Sequence, residues 1–336
     1  MTIRAFISGC ASTALNDAET KFFAKTQPWG LILFKRNCES PEQITSLTTQ
    51  FRIAVGRKDA PVFIDQEGGR VQRLNQPLWR KYPAAQEFGR LFSRSPILAF
   101  RTARNSGRLM AEELEELGIT ASCLPVLDVP QPGSHDVIGN RAYALRPEAV
   151  ISLANAHMAG LMEGGVLPVM KHIPGHGRSM VDSHLALPIV SAPRAELEQF
   201  DFMPFTALAN CPMAMTAHVI YTSLDSESPA TLSRKIVREV IRKTIGFTGL
   251  LITDDLSMKA LGGTFAEKCE RALNAGCDML LHCGGDMSEM EQVAASAGAL
   301  EGKAMRRAKQ ALKARRKPLP YDKKAALKDL EAILSV

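Results

Sequence analysis

Short apolar runs alternate with longer stretches of helical periodicity along almost the whole chain. Eight runs have the length and the nearly unbroken apolar character of strands buried on both faces: residues 5–8, 30–34, 62–64, 121–124, 167–170, 214–217, 249–253 and 279–282. Between them the apolar positions recur with helical spacing over 41–55, 95–117, 147–163, 194–209, 233–245 and 264–275. Gly118, Gly164, Gly246 and Gly276 follow four of these stretches directly, where a left-handed residue ends a helix. Eight strand–helix repeats predict an α/β fold of the (β/α)8 TIM-barrel type, because doubly wound sheets usually stop at about five to seven strands. No Gly/Ser-rich, Pro-rich or low-complexity block interrupts the alternation, so residues 1–336 are read as a single catalytic domain. Two further helical stretches, 301–316 and 322–334, are expected to pack outside the barrel.

In such a barrel the loops at the carboxyl ends of the strands share one mouth, where chemistry is kept. The polar residues just past the predicted strand ends are Arg36 and Asn37; Asp65, Glu67, Arg70 and Arg73; Asp128 and Arg141; Lys171, His172, Asp182 and His184; His218; and Asp254 with Asp255. The stretch 167–188 is the densest, delivering a cation, imidazoles and a carboxylate to one strand end. Each feature has a plain structural reading. Gly68-Gly69 makes a tight turn and lacks the spacing of a phosphate-binding loop. Lys171 and His172 can be polar groups at a strand end. Asp182 and His184 can cap a turn, and Asp254-Asp255 can cap a short helix. Their convergence on one rim is what favours a catalytic reading. Pro174, Gly175 and Gly177 predict an irregular loop, expected to close over bound substrate.

Charge changes the picture little. The formal net charge is +6, but between Lys303 and Lys328 eleven Lys/Arg face one acidic residue, Asp322, a local +10 that leaves −4 elsewhere (6 − 10). The basicity therefore belongs to the solvated face of the terminal helices, and neither nucleic acid nor membrane is expected as a partner. The seven cysteines show no CxxC and no zinc spacing, so reduced, packed thiols in a cytoplasmic protein are expected. Ile7-Ser8-Gly9-Cys10 has the small residues of a lipoprotein cleavage site, yet only Ala5, Phe6 and Ile7 stand between Arg4 and Ser8-Gly9-Cys10, too few for a signal's apolar segment.

The segments FIDQEGGRVQR, IGNRAYALRP, KHIPGHG with VDSHLALP, TAHVIY, PATLS and GLLITDDLSMKA, in that order, resemble the family 3 glycoside hydrolases, and within them the single-domain bacterial β-N-acetylglucosaminidases (β-hexosaminidases) of peptidoglycan recycling. The resemblance runs from the first strand to about Cys283. It implies a TIM-barrel hydrolase that removes terminal β-linked N-acetylglucosamine with retention, with Asp254 as nucleophile and His184 as general acid/base partnered by Asp182. It also implies that Asp65, Arg73, Arg141, Lys171 and His172 hold the sugar's hydroxyls. The chain departs from the family at Arg178-Ser179, where an acidic residue and Thr usually follow GHG.

The chemistry is coherent with that assignment. Retention needs one carboxylate to attack the anomeric carbon and a second group to protonate the leaving oxygen. An imidazole titrates near neutrality, and Asp182 can stabilise its charged form. Asp254 must stay ionised, which Lys171 and the arginines are expected to favour. The expected partner is a small carbohydrate or muropeptide, with no cofactor and no metal, acted on by a monomer. Alternatives remain: a substrate-assisted hexosaminidase using Asp254 and Asp255, a phosphorylase, a metal-dependent barrel hydrolase built on His172, His176, His184 and His218, or a silent sugar-binding module.

Overall fold

The computed structural model, which describes residues 2–181 and 186–335, turns the eight apolar runs into eight parallel strands. They are β1 (Arg4–Ser8), β2 (Pro28–Leu33), β3 (Val62–Ile64), β4 (Ala121–Ser122), β5 (Leu167–Ile173), β6 (Met213–Thr216), β7 (Leu250–Asp255) and β8 (Met279–His282). Each pairs with its sequence neighbours, and β1 pairs with β8 through Phe6–Leu280 and Ile7–Leu281, so the sheet closes on itself as a TIM barrel. Successive side chains of a strand point to opposite faces, and here both faces are buried. One set, including Ile7, Trp29, Phe63, Val169, Met213, Met215, Ile252 and Leu281, fills the interior. The other, including Phe6, Leu31, Ile64, Met170, Leu251 and Leu280, packs under the surrounding helices. That double burial is why the runs read as unbroken apolar segments rather than alternating ones.

The helices follow the 3.6-residue pattern where an apolar stripe is wide, as in Pro41–Ala54, Pro96–Glu116 and Pro147–Glu163. Three helices were not predicted: Asp17–Thr26, Ala85–Arg94 and Met287–Ser296. The first is short and owes its start to a capping box, in which the Asn16 side chain accepts from the Glu19 N–H while Glu19 reaches back to the Asn16 N–H. The expected helix over 194–209 is instead three pieces, Arg194–Glu196, a π-helical Leu197–Asp201 and Met203–Ala207, consistent with Pro204 having no N–H to continue the ladder. The left-handed residue after Pro147–Glu163 is Gly165 (φ +87°), not Gly164.

Two C-terminal helices complete the fold. Lys323–Leu334 lies on the outer ring, where Asp329 accepts from Arg101 at 2.7 and 2.9 Å and from Asn105 at 2.8 Å. Gly302–Ala314 lies across the amino-terminal end of the barrel, with Ala308 and Ala311, together with Leu300 just ahead of the helix, joining the interior cluster. Its Arg307 donates to Asp278 at 2.8 Å, an acid that also receives Arg242 at 2.7 Å. The barrel is therefore closed at its base and open only at the carboxyl ends of its strands. No described helix is long and apolar enough to cross a membrane.

Candidate active site

The chain leaves β3 at Asp65 and doubles back in a small hairpin, Gln66–Gly68 against Val71–Gln72. Gly68 and Gly69 make its turn with φ of +94° and +58°, and a Cβ on Gly68 would lie 2.4 Å from the Pro83 carbonyl oxygen. The plain reading of the Gly-Gly pair is the observed one, and its consequence is functional: the return strand brings Arg73 back over Asp65, 2.9 Å from Nη2 to Oδ2.

Lys171, near the end of β5, ties this hairpin to the barrel. Its ammonium lies 2.9 Å from Asp65 and 2.6 Å from Glu67, and Arg141 holds both oxygens of Glu67 at 2.8 Å. Two carboxylates and three cations thus form one network. Burial opposes ionisation of Asp65, but Lys171 and Arg73 outweigh it and hold the carboxyl well below the usual range. In the same way burial of Glu67 is overcome by Arg141 and Lys171, which bring it down to about 2. Lys171 is driven up by the two acids despite its own burial. A carboxyl held so low has no proton to give near neutrality, so Glu67 cannot serve as a general acid.

β5 and β6 register irregularly between Lys171 and Ile173, and both Lys171 and His172 line the same cavity. His172 Nδ1 donates to Asp128 Oδ2 at 2.7 Å, which fixes the tautomer and leaves Nε2 for the cavity. Asp128 is fully buried and also accepts the His176 N–H at 2.7 Å, so it supports the mouth from beneath rather than lining it. His176 lines the cavity with neither ring nitrogen partnered among the described residues, and burial brings it down to about 4, so it is neutral at working pH.

At the end of β7 the two acids differ in what holds them. Asp254 lines the cavity; its Oδ1 accepts the Asp255 N–H at 2.8 Å, and its Oδ2 accepts no hydrogen bond among the described residues. Burial opposes its charge, yet the carboxyl lies below the ordinary range because His218, His172, the Asp255 amide and Lys171 favour the anion. Lys171 favours the anion as expected, but the imidazoles stand ahead of it, because Lys171 spends its closest contacts on Asp65 and Glu67. Asp255 is occupied structurally, accepting from the Ser257 N–H and hydroxyl at 3.1 and 2.5 Å and from the Cys283 N–H at 3.1 Å.

The structure brings Asp65, Arg73, Arg141, Lys171, His172 and Asp254 to one cavity of about 110 Å³, floored by Ile32, Met215 and Leu281. Asp182 and His184 lie outside the described residues. Arg36 and Asn37, expected at the mouth, instead tie loops together: Arg36 donates to the Cys10 and Cys283 carbonyls, and the buried Asn37 amide to those of Cys10 and Ser12. His218 lies behind Asp254, bonded to Thr231 at 2.7 Å and to the Asp255 carbonyl at 3.0 Å. The cysteines are free, and burial pushes the thiol of Cys283, beside the cavity, well above its usual value. Among the described residues no three His, Cys, Asp or Glu side chains gather as a metal site.

Known proteins share this arrangement of chain. A model of the glycosyl hydrolase family 3 N-terminal domain matches residues 5–314. A β-hexosaminidase of Alkalilimnicola ehrlichii is 40% identical over 287 residues, 84% of this chain and 81% of that protein. The crystal structure of native NagZ from Neisseria gonorrhoeae superposes with a TM-score of 0.86 at 30% identity, covering 100% of this chain and 97% of that one. NagZ from the same organism in complex with N-trifluoroacetyl-D-glucosamine gives a TM-score of 0.88 at 30% identity, with 99% and 98% covered.

Proposed function

The chain belongs to glycosyl hydrolase family 3, and we propose that within it this glycoside hydrolase is a retaining exo-β-N-acetylglucosaminidase. The observation that carries the reading is Asp254, a cavity-lining carboxylate kept ionised at the end of β7, with one oxygen immobilised by its neighbour's amide and the other without a hydrogen-bond donor among the described residues. The relatives' name of β-hexosaminidase and the sugar analogue held by NagZ support the choice of substrate.

Asp254 Oδ2 attacks the anomeric carbon as the glycosidic C–O bond breaks, and the leaving oxygen takes a proton from His184, whose imidazolium Asp182 stabilises. The neutral imidazole then removes a proton from water, whose oxygen displaces Asp254 and regenerates the carboxylate. Asp65, Arg73, Arg141, Lys171 and His172 offer acceptors and donors side by side, which suits vicinal hydroxyls that each donate and accept. The packed floor makes the cavity blind, so a terminal sugar enters and the rest of the chain stays outside. We assign the natural substrate to muropeptides, turned over in the cytoplasm by a monomer without metal or cofactor.

One observation favours a second assignment of the acid: His172 and Asp128 already form a 2.7 Å imidazole–carboxylate pair at the cavity wall. Incubating purified protein with a defined N-acetylglucosaminyl disaccharide, with and without phosphate, and identifying the anomer released tests the whole reading. Release of free β-N-acetylglucosamine supports it. An α-anomer as first product, or a sugar phosphate, overturns hydrolysis with retention.

A further inference from the structure

The segment that follows β5 is held residue by residue as far as Ser179. The Tyr221 hydroxyl donates to the Gly175 carbonyl, the His176 N–H to Asp128 at 2.7 Å, and the His135 N–H to the Ser179 carbonyl at 2.7 Å. Gly177 passes so close to Val129 that a Cβ would sit 2.1 Å from its carbonyl oxygen. Among these residues Arg178 alone is held through its side chain. Its Nε donates to Asp201 Oδ2 and its Nη1 to Glu196 Oε1, each at 2.7 Å.

Asp201 is not an ordinary partner. It is 1% exposed, its Oδ1 has no donor among the described residues, and Arg178 Nη2 is likewise without an acceptor. Burial raises it to about 6 even with Arg178 pulling the other way. An ion pair so deeply desolvated is a poor way to gain stability, because the cost of removing two charges from water consumes most of the attraction. What such a pair does supply is geometry, since the charge on Asp201 is tolerated only where the guanidinium meets it. Arg178 also stands where the resemblance leads one to expect an acid. Arg178 lies four positions before Asp182 and six before His184 (182 − 178, 184 − 178).

We infer that Arg178 and Asp201 are positioning residues for the acid/base function assigned to His184 and Asp182, the guanidinium–carboxylate pair fixing the stem that precedes those two residues in the chain. The inference rests on the assignment of His184 as acid. A displacement of about 1 Å at a reacting group is enough to cost about a hundredfold in rate.

The test compares Arg178→Ala, Arg178→Lys, Asp201→Asn and His184→Ala on two substrates, a nitrophenyl β-N-acetylglucosaminide, whose leaving group needs no proton, and an unactivated N-acetylglucosaminyl disaccharide, whose leaving group does. Arg178→Ala should lose at least about tenfold more kcat on the disaccharide than on the nitrophenyl substrate, with KM for the disaccharide little changed and turnover of the aryl substrate rescued by azide. Asp201→Asn should show the same split more mildly, Arg178→Lys should recover part of it, and Arg178→Ala/Asp201→Asn should be no worse than Arg178→Ala alone. Equal losses on both substrates without azide rescue, while His184→Ala keeps its leaving-group dependence, would reduce the pair to a structural staple and overturn the inference alone. If His184→Ala itself lacks that dependence, the assignment of the acid fails and this inference falls with it. Should Arg178→Ala not fold, Asp201→Asn and Arg178→Lys carry the same comparison.

Discussion

The backbone N–H of Asp255 donates to Oδ1 of Asp254 at 2.8 Å, so two adjacent carboxylates on one strand end are chemically unequal. Asp254 keeps an oxygen for the cavity, whereas Asp255 gives both of its own to Ser257 and Cys283. A 5-fluoro glycosyl inactivator of N-acetylglucosamine configuration should therefore label Asp254, and Asp254→Ala should remove nearly all turnover. Peptide mapping that finds the adduct on Asp255 would move the nucleophile to that residue, and inactivation with no adduct would favour the substrate-assisted alternative.

Glu67 makes a pH-dependent contribution to stability whose sign follows from its position. Its folded value of about 2 lies below the ordinary 4.5, so ionisation favours the folded state above 4.5 and that contribution is lost as pH falls toward 2. Over that interval Glu67→Gln should flatten the stability curve by on the order of 3 kcal/mol, read by denaturant unfolding at stepped pH. A mutant curve parallel to the wild type would show that Arg141 and Lys171 do not hold the charge.

Lys171 is the keystone of the same network, and its removal leaves Asp65 and Glu67 buried against each other. Lys171→Met should cost about 3–5 kcal/mol and raise KM sharply. Lys171→Met/Glu67→Gln should recover a share of the stability without recovering the KM. Full stability in the single mutant would mean that Arg73 and Arg141 suffice.

The two candidate acids separate by leaving group. His184→Ala should damage the disaccharide far more than an aryl glycoside and accumulate a glycosyl-enzyme that azide discharges, with Asp182→Asn a milder version. His172→Ala should instead weaken both substrates alike if, as proposed, its ring holds the sugar. The reverse pattern would transfer the acid/base role to His172 and Asp128.

Activity should be indifferent to EDTA and to added zinc removed again by dialysis. Loss in chelator that zinc restores would revive the metal-dependent alternative and direct attention to His176, the cavity-lining imidazole with no partner among the described residues.

How much of this was legible in the sequence depends on how local the cause was. All eight strands were, because a segment buried on both faces must be apolar throughout. Asp65, Lys171, His172 and Asp254 were also legible, since they stand at strand ends, whereas Arg141 reaches the cavity from the 3-10 turn Gly139–Arg141, well beyond β4. Their division of labour was not: Asp128 and His172 stand 44 positions apart and Glu67 and Arg141 stand 74 apart, so that nothing short of the folded chain pairs them. The helix Asp17–Thr26 was missed for a different reason, its start being specified by Asn16 and Glu19 rather than by a broad apolar stripe. Arg36 and Asn37 carry the polar character of a mouth while serving carbonyls of neighbouring loops, a use that residue type does not reveal.

The helix across the barrel's base has a bearing on synthesis. Until residues 302–314 have emerged, Trp29, Met213 and their neighbours face water through the lower opening, and until β8 appears β1 lacks a partner on one edge. An incomplete chain thus carries both an unpaired strand edge and an uncovered apolar interior, the two features that make nascent chains adhere to one another. All eight strands have thus been made while the barrel's base is still uncovered, and two C-terminal helices stand between that sticky intermediate and the finished fold.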